Sequence, residues 1–245
     1  MKALILAAGY GVRLYPLTKE HAKSLLLVRN VPIINYIVSK LEILDEIDKI
    51  FVITNSKFFP QFMKWKKEIK CKKDINVVDD LTKNHKNRLG AIGDIRFAIE
   101  KENIDDDLLV IGGDNLFDDD LAPFLSFAKA NKGKPVMGVF NLKDREQAKK
   151  YGMLKLDKNN IVIDFQEKPQ NPDSALVAMC LYLFPKDKLG LIKEYLNGNT
   201  EQYDATGYYI NWLRKRETVY GFVFSGRWYD IGDYGFYKEA KEKFK

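Results

Sequence analysis

Short apolar runs separated by segments of helical period constrain the first half of this chain more than any other feature. Residues 3–7, 50–53, 75–78 and 108–111 are each rich in Ala, Leu, Ile or Val. Runs this short suit strands buried on both faces better than they suit helices. Between them, Ile33, Ile34, Ile37, Val38, Leu41 and Leu44 share one helical face. The spacing predicts further helices over 58–69 and through Ile92, Ile95 and Ile99. Such alternation implies a mainly parallel sheet covered by helices.

The second half changes character. Strands are expected at 136–140, 152–156, 161–165 and 176–184, with a tight turn at Asn159-Asn160. Helices follow at 188–196 and 208–216. A strand at 219–224 then leads into Arg227-Trp228-Tyr229-Asp230, and an amphipathic helix forms the tail. The expected fold class is α/β: a Rossmann-like half with a mainly parallel mixed sheet, followed by a lobe with antiparallel strands. No repeat or linker-like stretch interrupts it, so 1–245 reads as a single domain with halves 1–120 and 121–245.

Directly after the first strand stands Leu6-Ala7-Ala8-Gly9-Tyr10-Gly11-Val12-Arg13-Leu14. Small residues let backbone N–H groups approach an anion, because no Cβ intervenes. Two common phosphate loops are excluded. A dinucleotide fingerprint needs glycine where Leu14 sits, and a P-loop needs glycines where Leu17 and Ala22 sit. What remains is a glycine turn with Arg13 just beyond it and Lys23 ten residues further on. A guanidinium fork and a compact ammonium flanking such a turn would neutralise a polyphosphate.

Residues 6–26, LAAGYGVRLYPLTKEHAKSLL, resemble the signature of the sugar-1-phosphate nucleotidyltransferases. The resemblance continues at Gly112-Gly113-Asp114-Asn115, Tyr151-Gly152, Glu167-Lys168-Pro169 and Trp228-Tyr229-Asp230-Ile231-Gly232. These motifs stand in the family's order across nearly the whole chain. Glucose-1-phosphate thymidylyltransferases look like the nearest branch. The resemblance implies that a nucleoside monophosphate passes from a nucleoside triphosphate, dTTP or UTP by first choice, to a hexose-1-phosphate such as glucose-1-phosphate. Asp114 and Asp230 would hold Mg²⁺, a hard ion suited to carboxylate oxygens. Arg13 would face the departing pyrophosphate and Lys23 the α-phosphate, as the catalytic pair. Leu6, Ala7, Ala8, Gly9, Gly11 and Gly90, with Asp114, would line the nucleotide site in the first half. In the second half Tyr151, Gly152, Glu167, Lys168 and Thr206 would bind the sugar phosphate.

The family pattern is not complete. Residues 79–90 lack the glutamine expected to read thymine or uracil, and Thr206-Gly207 stands where many relatives have Thr-Asp. Two other readings therefore stand beside the first: a catalytically silent regulatory subunit that binds a nucleotide sugar, and a cytidylyltransferase for a non-sugar phosphate acceptor. Because the chain ends soon after Asp230, a C-terminal β-helix like that of bifunctional relatives is not expected.

Composition narrows the remainder. No apolar run approaches the roughly 18 residues of a membrane span, and the first residues lack a cleavage pattern, so a cytoplasmic protein without a membrane partner is expected. Cys71 and Cys180 offer no disulfide framework and no zinc spacing. The 40 basic and 34 acidic residues leave a net charge of +6. The lysines crowd between 64 and 73, around Phe62, Trp65 and Ile69, as on a solvated helix rather than a nucleic-acid patch. His21 and His85 read as surface residues, and Asp118, Asp119 and Asp120 as caps and solvated loop. Whether the chain forms a homo-oligomer is left open.

Overall fold

The computed structural model describes residues 1–198 and 205–244. In chain order its strands are β1 (Lys2–Leu6), β2 (Leu27–Val28), β3 (Val31–Pro32), β4 (Lys49–Thr54), β5 (Asp74–Asp79), β6 (Leu108–Gly112), β7 (Asn115–Phe117), β8 (Val136–Asn141), β9 (Gly152–Leu156), β10 (Val162–Glu167), β11 (Leu176–Phe184), β12 (Tyr220–Phe224) and β13 (Trp228–Asp230). The helices are α1 (Ile33–Glu42), α2 (Phe59–Glu68), α3 (Gly90–Glu102), α4 (Ala122–Ala130), α5 (Gly190–Gly198), α6 (Thr206–Leu213) and α7 (Tyr234–Lys243).

Among the described residues, nine strands form one sheet in which β5, β4, β1 and β6 lie side by side and parallel. β11 runs antiparallel to β6 and carries the antiparallel pair β9 and β10 beyond it. β8 also pairs with β11, and β12 lies parallel to β8. The fold is thus α/β, with a mostly parallel centre and antiparallel additions, as expected.

Side chains alternate across β1. Ala3 and Ile5 join the core under α1, α2 and α4, whereas Leu4 joins the core under α3, α5 and α6. Each helix contributes its apolar stripe, such as Ile34, Ile37 and Leu41 from α1 or Ile92, Ile95 and Ala98 from α3. A smaller core beneath α7 joins Leu14, Val28, Leu116, Ile231 and Tyr237. No helix among the described residues is long and apolar enough to cross a membrane.

The sheet order positions the site. From β1 the chain moves through α1 to β4 and through α2 to β5, then returns by α3 to β6 on the other side of β1. Strand order reverses between β1 and β6, and open sheets bind ligands outside the carboxyl ends of strands at such a point. The glycine loop after β1 and the Gly112-Gly113-Asp114 turn after β6 flank it. Gly113 N donates to Leu6 O at 2.8 Å, and a Cβ on Gly113 would lie 2.8 Å from that oxygen and 2.7 Å from Ser24 Oγ. Only glycine lets the two loops meet here.

Several features depart from the sequence reading. α4 was not anticipated, nor was the two-stranded ladder of β7 and β13. In the acidic run Asp120 is exposed in a loop, as expected, but Asp118 and Asp119 are half-buried and bonded. Asp118 Oδ1 accepts from Arg227 N at 2.6 Å, its Oδ2 accepts from Arg227 Nε at 2.7 Å, and Asp119 Oδ2 accepts from Gly226 N at 2.6 Å. These carboxylates fasten the loop that delivers β13.

Candidate active site

Strand register gathers the sequence motifs. In the ladder of β7 and β13, Asp230 stands opposite Asn115, and Ile231 N donates to Asp114 O at 3.1 Å, so the two aspartates predicted to bind metal share one end of a short ribbon. In the hairpin of β9 and β10, Glu167 stands opposite Gly152, and Lys168 N donates to Tyr151 O at 3.0 Å. The hairpin is closed through Asn160 in the left-handed region, where the sequence predicted a turn.

Two clefts open at this end of the sheet. The first, about 200 Å³, is lined by Leu6, Ala7, Ala8, Gly9, Lys23, Gly90 and Asp114, all predicted nucleotide-side residues except Lys23, which was assigned to the α-phosphate. Ser24, Arg88, Asp94 and Cys180 also line it, without having been anticipated. Gly11 does not line it. It occupies the left-handed region (φ 62°), and its carbonyl accepts from Thr18 Oγ1 at 2.7 Å, so it shapes the turn.

The second cleft, about 250 Å³, contains Arg13, Tyr151, Gly152, Glu167, Lys168, Thr206, Asp114 and Asp230. Every residue predicted for the sugar phosphate lies here, and Arg13 lies on this side rather than in the first cleft. Trp228, Phe165 and Tyr182 add an aromatic wall. The two clefts share Asp114, Ala91 and Cys180, so a group bound in one touches the same wall as a group bound in the other. His21 and His85 are exposed, as expected.

Asn115 ties these parts together. It is buried, its Oδ1 accepts from Trp228 Nε1 at 2.9 Å, and its Nδ2 donates to the Met179 carbonyl and, at 3.3 Å, to that of Cys180. Trp228 in turn packs on Tyr151, with ring centroids 5.2 Å apart. Asn115 and Trp228 sat inside the quoted motifs, which was a usable signal. Nothing in the sequence marked Cys180, whose left-handed φ of 52° turns β11 at an irregularity in its pairing with β8.

The electrostatics centre on Lys23 and two acids. Lys23 Nζ is ion-paired with Asp114 Oδ2. Burial alone would lower the Lys23 pKa, but Asp114 and Asp230 outweigh it and hold the ammonium above its ordinary value. Burial, and then the neighbouring Asp114 charge, raise the Asp230 carboxyl above its usual range, while Lys23, Arg13 and Lys168 offset this only in part. Burial also raises Glu167. Burial and the two aspartates push the Cys180 thiol far up, so it stays protonated and is a poor nucleophile.

Comparison with known proteins places this geometry. The model of the nucleotidyl transferase family matches residues 2–245. The chain belongs to that family. Its nucleotidyl transferase relatives include the bifunctional protein GlmU of Methanocaldococcus jannaschii, 34% identical over 241 residues, which cover 95% of this chain and 51% of that protein. Another is the glucose-1-phosphate adenylyltransferase of Acetivibrio thermocellus, 30% identical over 138 residues, or 54% of this chain and 32% of the relative. The chain spans about half the length of the curated GlmU relatives it matches. Among solved structures, a candidate glucose-1-phosphate thymidylyltransferase from Bacillus anthracis superposes with a TM-score of 0.80 at 26% identity, covering 99% of this chain and 94% of that one. A UDP-glucose pyrophosphorylase shares the fold with the same TM-score at 21% identity, covering 99% and 97% of the two chains.

Proposed function

We propose that this chain is a Mg²⁺-dependent, cytoplasmic sugar-1-phosphate nucleotidyltransferase that joins a nucleoside triphosphate, dTTP or UTP by first choice, to a hexose-1-phosphate, with glucose-1-phosphate favoured. The products are an NDP-sugar and pyrophosphate. Residues 1–245 act as one domain, with the nucleotide held by 1–120 and the sugar phosphate by 121–245. One observation carries the reading: two clefts, one walled by the glycine loop and one by Glu167 and Lys168, meet at Asp114 beside Lys23, Arg13 and Asp230.

The reaction needs no general base, because a phosphate monoester is already ionised at neutral pH. An acceptor phosphate oxygen forms a bond to the α-phosphorus. The bond from that phosphorus to the bridging oxygen breaks, and pyrophosphate leaves with the electron pair. The obstacle is repulsion between two polyanions, so positioning and charge neutralisation supply the rate. Backbone groups of Leu6 to Gly9 and of Gly90 cradle the nucleotide, and Gly11 holds the loop in shape. Lys23, kept cationic by its acidic neighbours, faces the α-phosphate. Arg13, which lines the second cleft together with Asp230, reaches from that side toward the charge of the departing pyrophosphate. Lys168 receives the acceptor phosphate, Glu167 accepts from sugar hydroxyls, Gly152 offers its N–H, and Tyr151 and Thr206 fix the walls around them.

Asp114 and Asp230 fit a small hard cation. Both carry oxygen donors at one end of the β7–β13 ribbon, and burial, followed by the Asp114 charge, holds the Asp230 carboxyl above its usual range although Lys23, Arg13 and Lys168 lie near it. Mg²⁺ held there would neutralise phosphate charge during transfer.

A second reading has its own support. Tyr151, Phe165, Tyr182 and Trp228 around the Glu167 carboxylate could also enclose a quaternary ammonium, as in a cytidylyltransferase for a cationic alcohol phosphate. Pyrophosphate release across a grid of triphosphates and phosphorylated acceptors separates the two. A hexose-1-phosphate should outrun every non-sugar acceptor. CTP with a quaternary ammonium phosphate running faster would replace the first reading with the second, and no release with any pair would leave a silent binding subunit.

A further inference from the structure

Gly207 lies in the first turn of α6, next to Thr206, whose Oγ1 shares a hydrogen bond with the Tyr182 hydroxyl at 2.7 Å. A Cβ on Gly207 would stand 1.9 Å from Glu167 Oε2 and 2.7 Å from the Phe165 ring. A Cβ on Gly152, in β9, would stand 3.1 Å from the same oxygen and 2.5 Å from the same ring. Two glycines from separate elements thus border one carboxylate and one aromatic side chain. Glu167 itself is largely enclosed, with a side chain 10% exposed, and among the described residues the cation that approaches it is Lys168 Nζ at 3.8 Å.

We propose that Gly207 is a specificity-determining residue of the acceptor cleft: the space left by its missing side chain receives the Glu167 carboxylate and so sets the depth at which that carboxylate meets the acceptor. The inference rests on assigning the second cleft to the acceptor. An ionised carboxylate offers acceptors only, so its position decides which hydroxyl donors of a phosphorylated polyol are satisfied. Any side chain at 207 pushes Oε2 outward, makes the cleft shallower and misaligns those bonds.

A double-mutant cycle tests the idea with whichever phosphorylated acceptor the grid selects. Gly207→Ala should raise the acceptor KM roughly 10- to 100-fold, the scale of a lost charge-assisted hydrogen bond, while leaving the triphosphate KM within about twofold. Glu167→Ala should raise it comparably. Adding Gly207→Ala to Glu167→Ala should then have less than a twofold further effect, because the displaced group is gone. Additive effects, or an unchanged acceptor KM in Gly207→Ala, would overturn the proposal. Should Gly207→Ala fail to fold while the double variant folds and binds triphosphate, the same contact is demonstrated by stability. If neither folds, the Phe165 ring rather than Glu167 is what excludes a side chain, and the proposal is wrong. Failure of the functional reading looks different: the wild-type protein would release no pyrophosphate with any acceptor.

Discussion

At the scale of single residues, the site is a problem in charge balance. Lys23 and Asp114 compensate one another in a half-buried pair, and Asp230 is the charge left over. Its burial beside a second carboxylate disfavours ionisation, so the metal-free protein carries repulsion that the active protein would relieve. Asp230→Asn removes that repulsion while keeping shape. We expect it to lower turnover by at least roughly 100-fold, as loss of one electrostatic contact to the reacting phosphates does, yet to raise the metal-free melting temperature. Steady-state rates and thermal melts without and with Mg²⁺ check both halves. Unchanged kinetics would remove Asp230 from the proposed metal site. A lower metal-free melting temperature would mean that the carboxylate makes a stabilising contact instead. Much of this residue layer was legible: Arg13, Lys23, Asp114, Glu167, Lys168 and Asp230 all line the two clefts. What the sequence did not reveal are residues whose importance is geometric. Cys180 looks like any strand residue until its backbone turns left-handed, and Gly207 looked like a departure from pattern until Glu167 was seen in its space.

At the scale of elements, the geometry of the candidate site depends on short pieces that carry little local signal. β7 and β13 have three residues each, too few for a period-2 pattern, and their pairing is set by the Asp118 and Asp119 bonds to Gly226 and Arg227. The acids looked solvated because spacing alone cannot show which loop a carboxylate will reach. α4 was missed for a related reason, since its buried Phe124, Leu125 and Ala128 cover little more than one turn. Strands buried on both faces, such as β1, β4 and β6, were found within a residue or two because burial itself writes the apolar run. The acidic clasp makes a prediction. Asp118→Ala should cost about 1–2 kcal/mol of stability for its lost bonds and should weaken the response to divalent metal, because Asp230 loses its register. Burial opposes ionisation of Asp118, but the Arg227 backbone, side chain and charge outweigh it and depress its pKa. A depressed native pKa gives stability above the unfolded value near 3.9 that is lost as the pH falls through the native value. The stability gap between wild type and variant should therefore be full at neutral pH and close in acid. Urea unfolding at both pH values, with a metal titration of the rate, checks this. A gap of the same size in acid would show that the stabilisation comes from packing and not from the ionised clasp.

At the scale of the whole molecule, the arrangement of the clefts constrains the order of chemical events. The reversal of strand order at β1 and β6 opens the first cleft, and the antiparallel strands β9, β10 and β11 build the second against it. They share a wall instead of lying apart, so both ligands can be present when the phosphorus is attacked. The one thiol at the junction, Cys180, is raised by burial and by the two aspartates, which makes it a poor covalent carrier. Transfer should accordingly be a single in-line displacement through a ternary complex. Two measurements follow from this. Initial rates at varied concentrations of both substrates should give intersecting rather than parallel double-reciprocal lines. Labelled pyrophosphate should enter the triphosphate only when NDP-sugar or sugar-1-phosphate is also present. Exchange in the absence of either sugar species would require a nucleotidyl-enzyme intermediate. The shared wall would then be the seat of a nucleophile, and charge neutralisation between two bound anions would no longer explain the reaction.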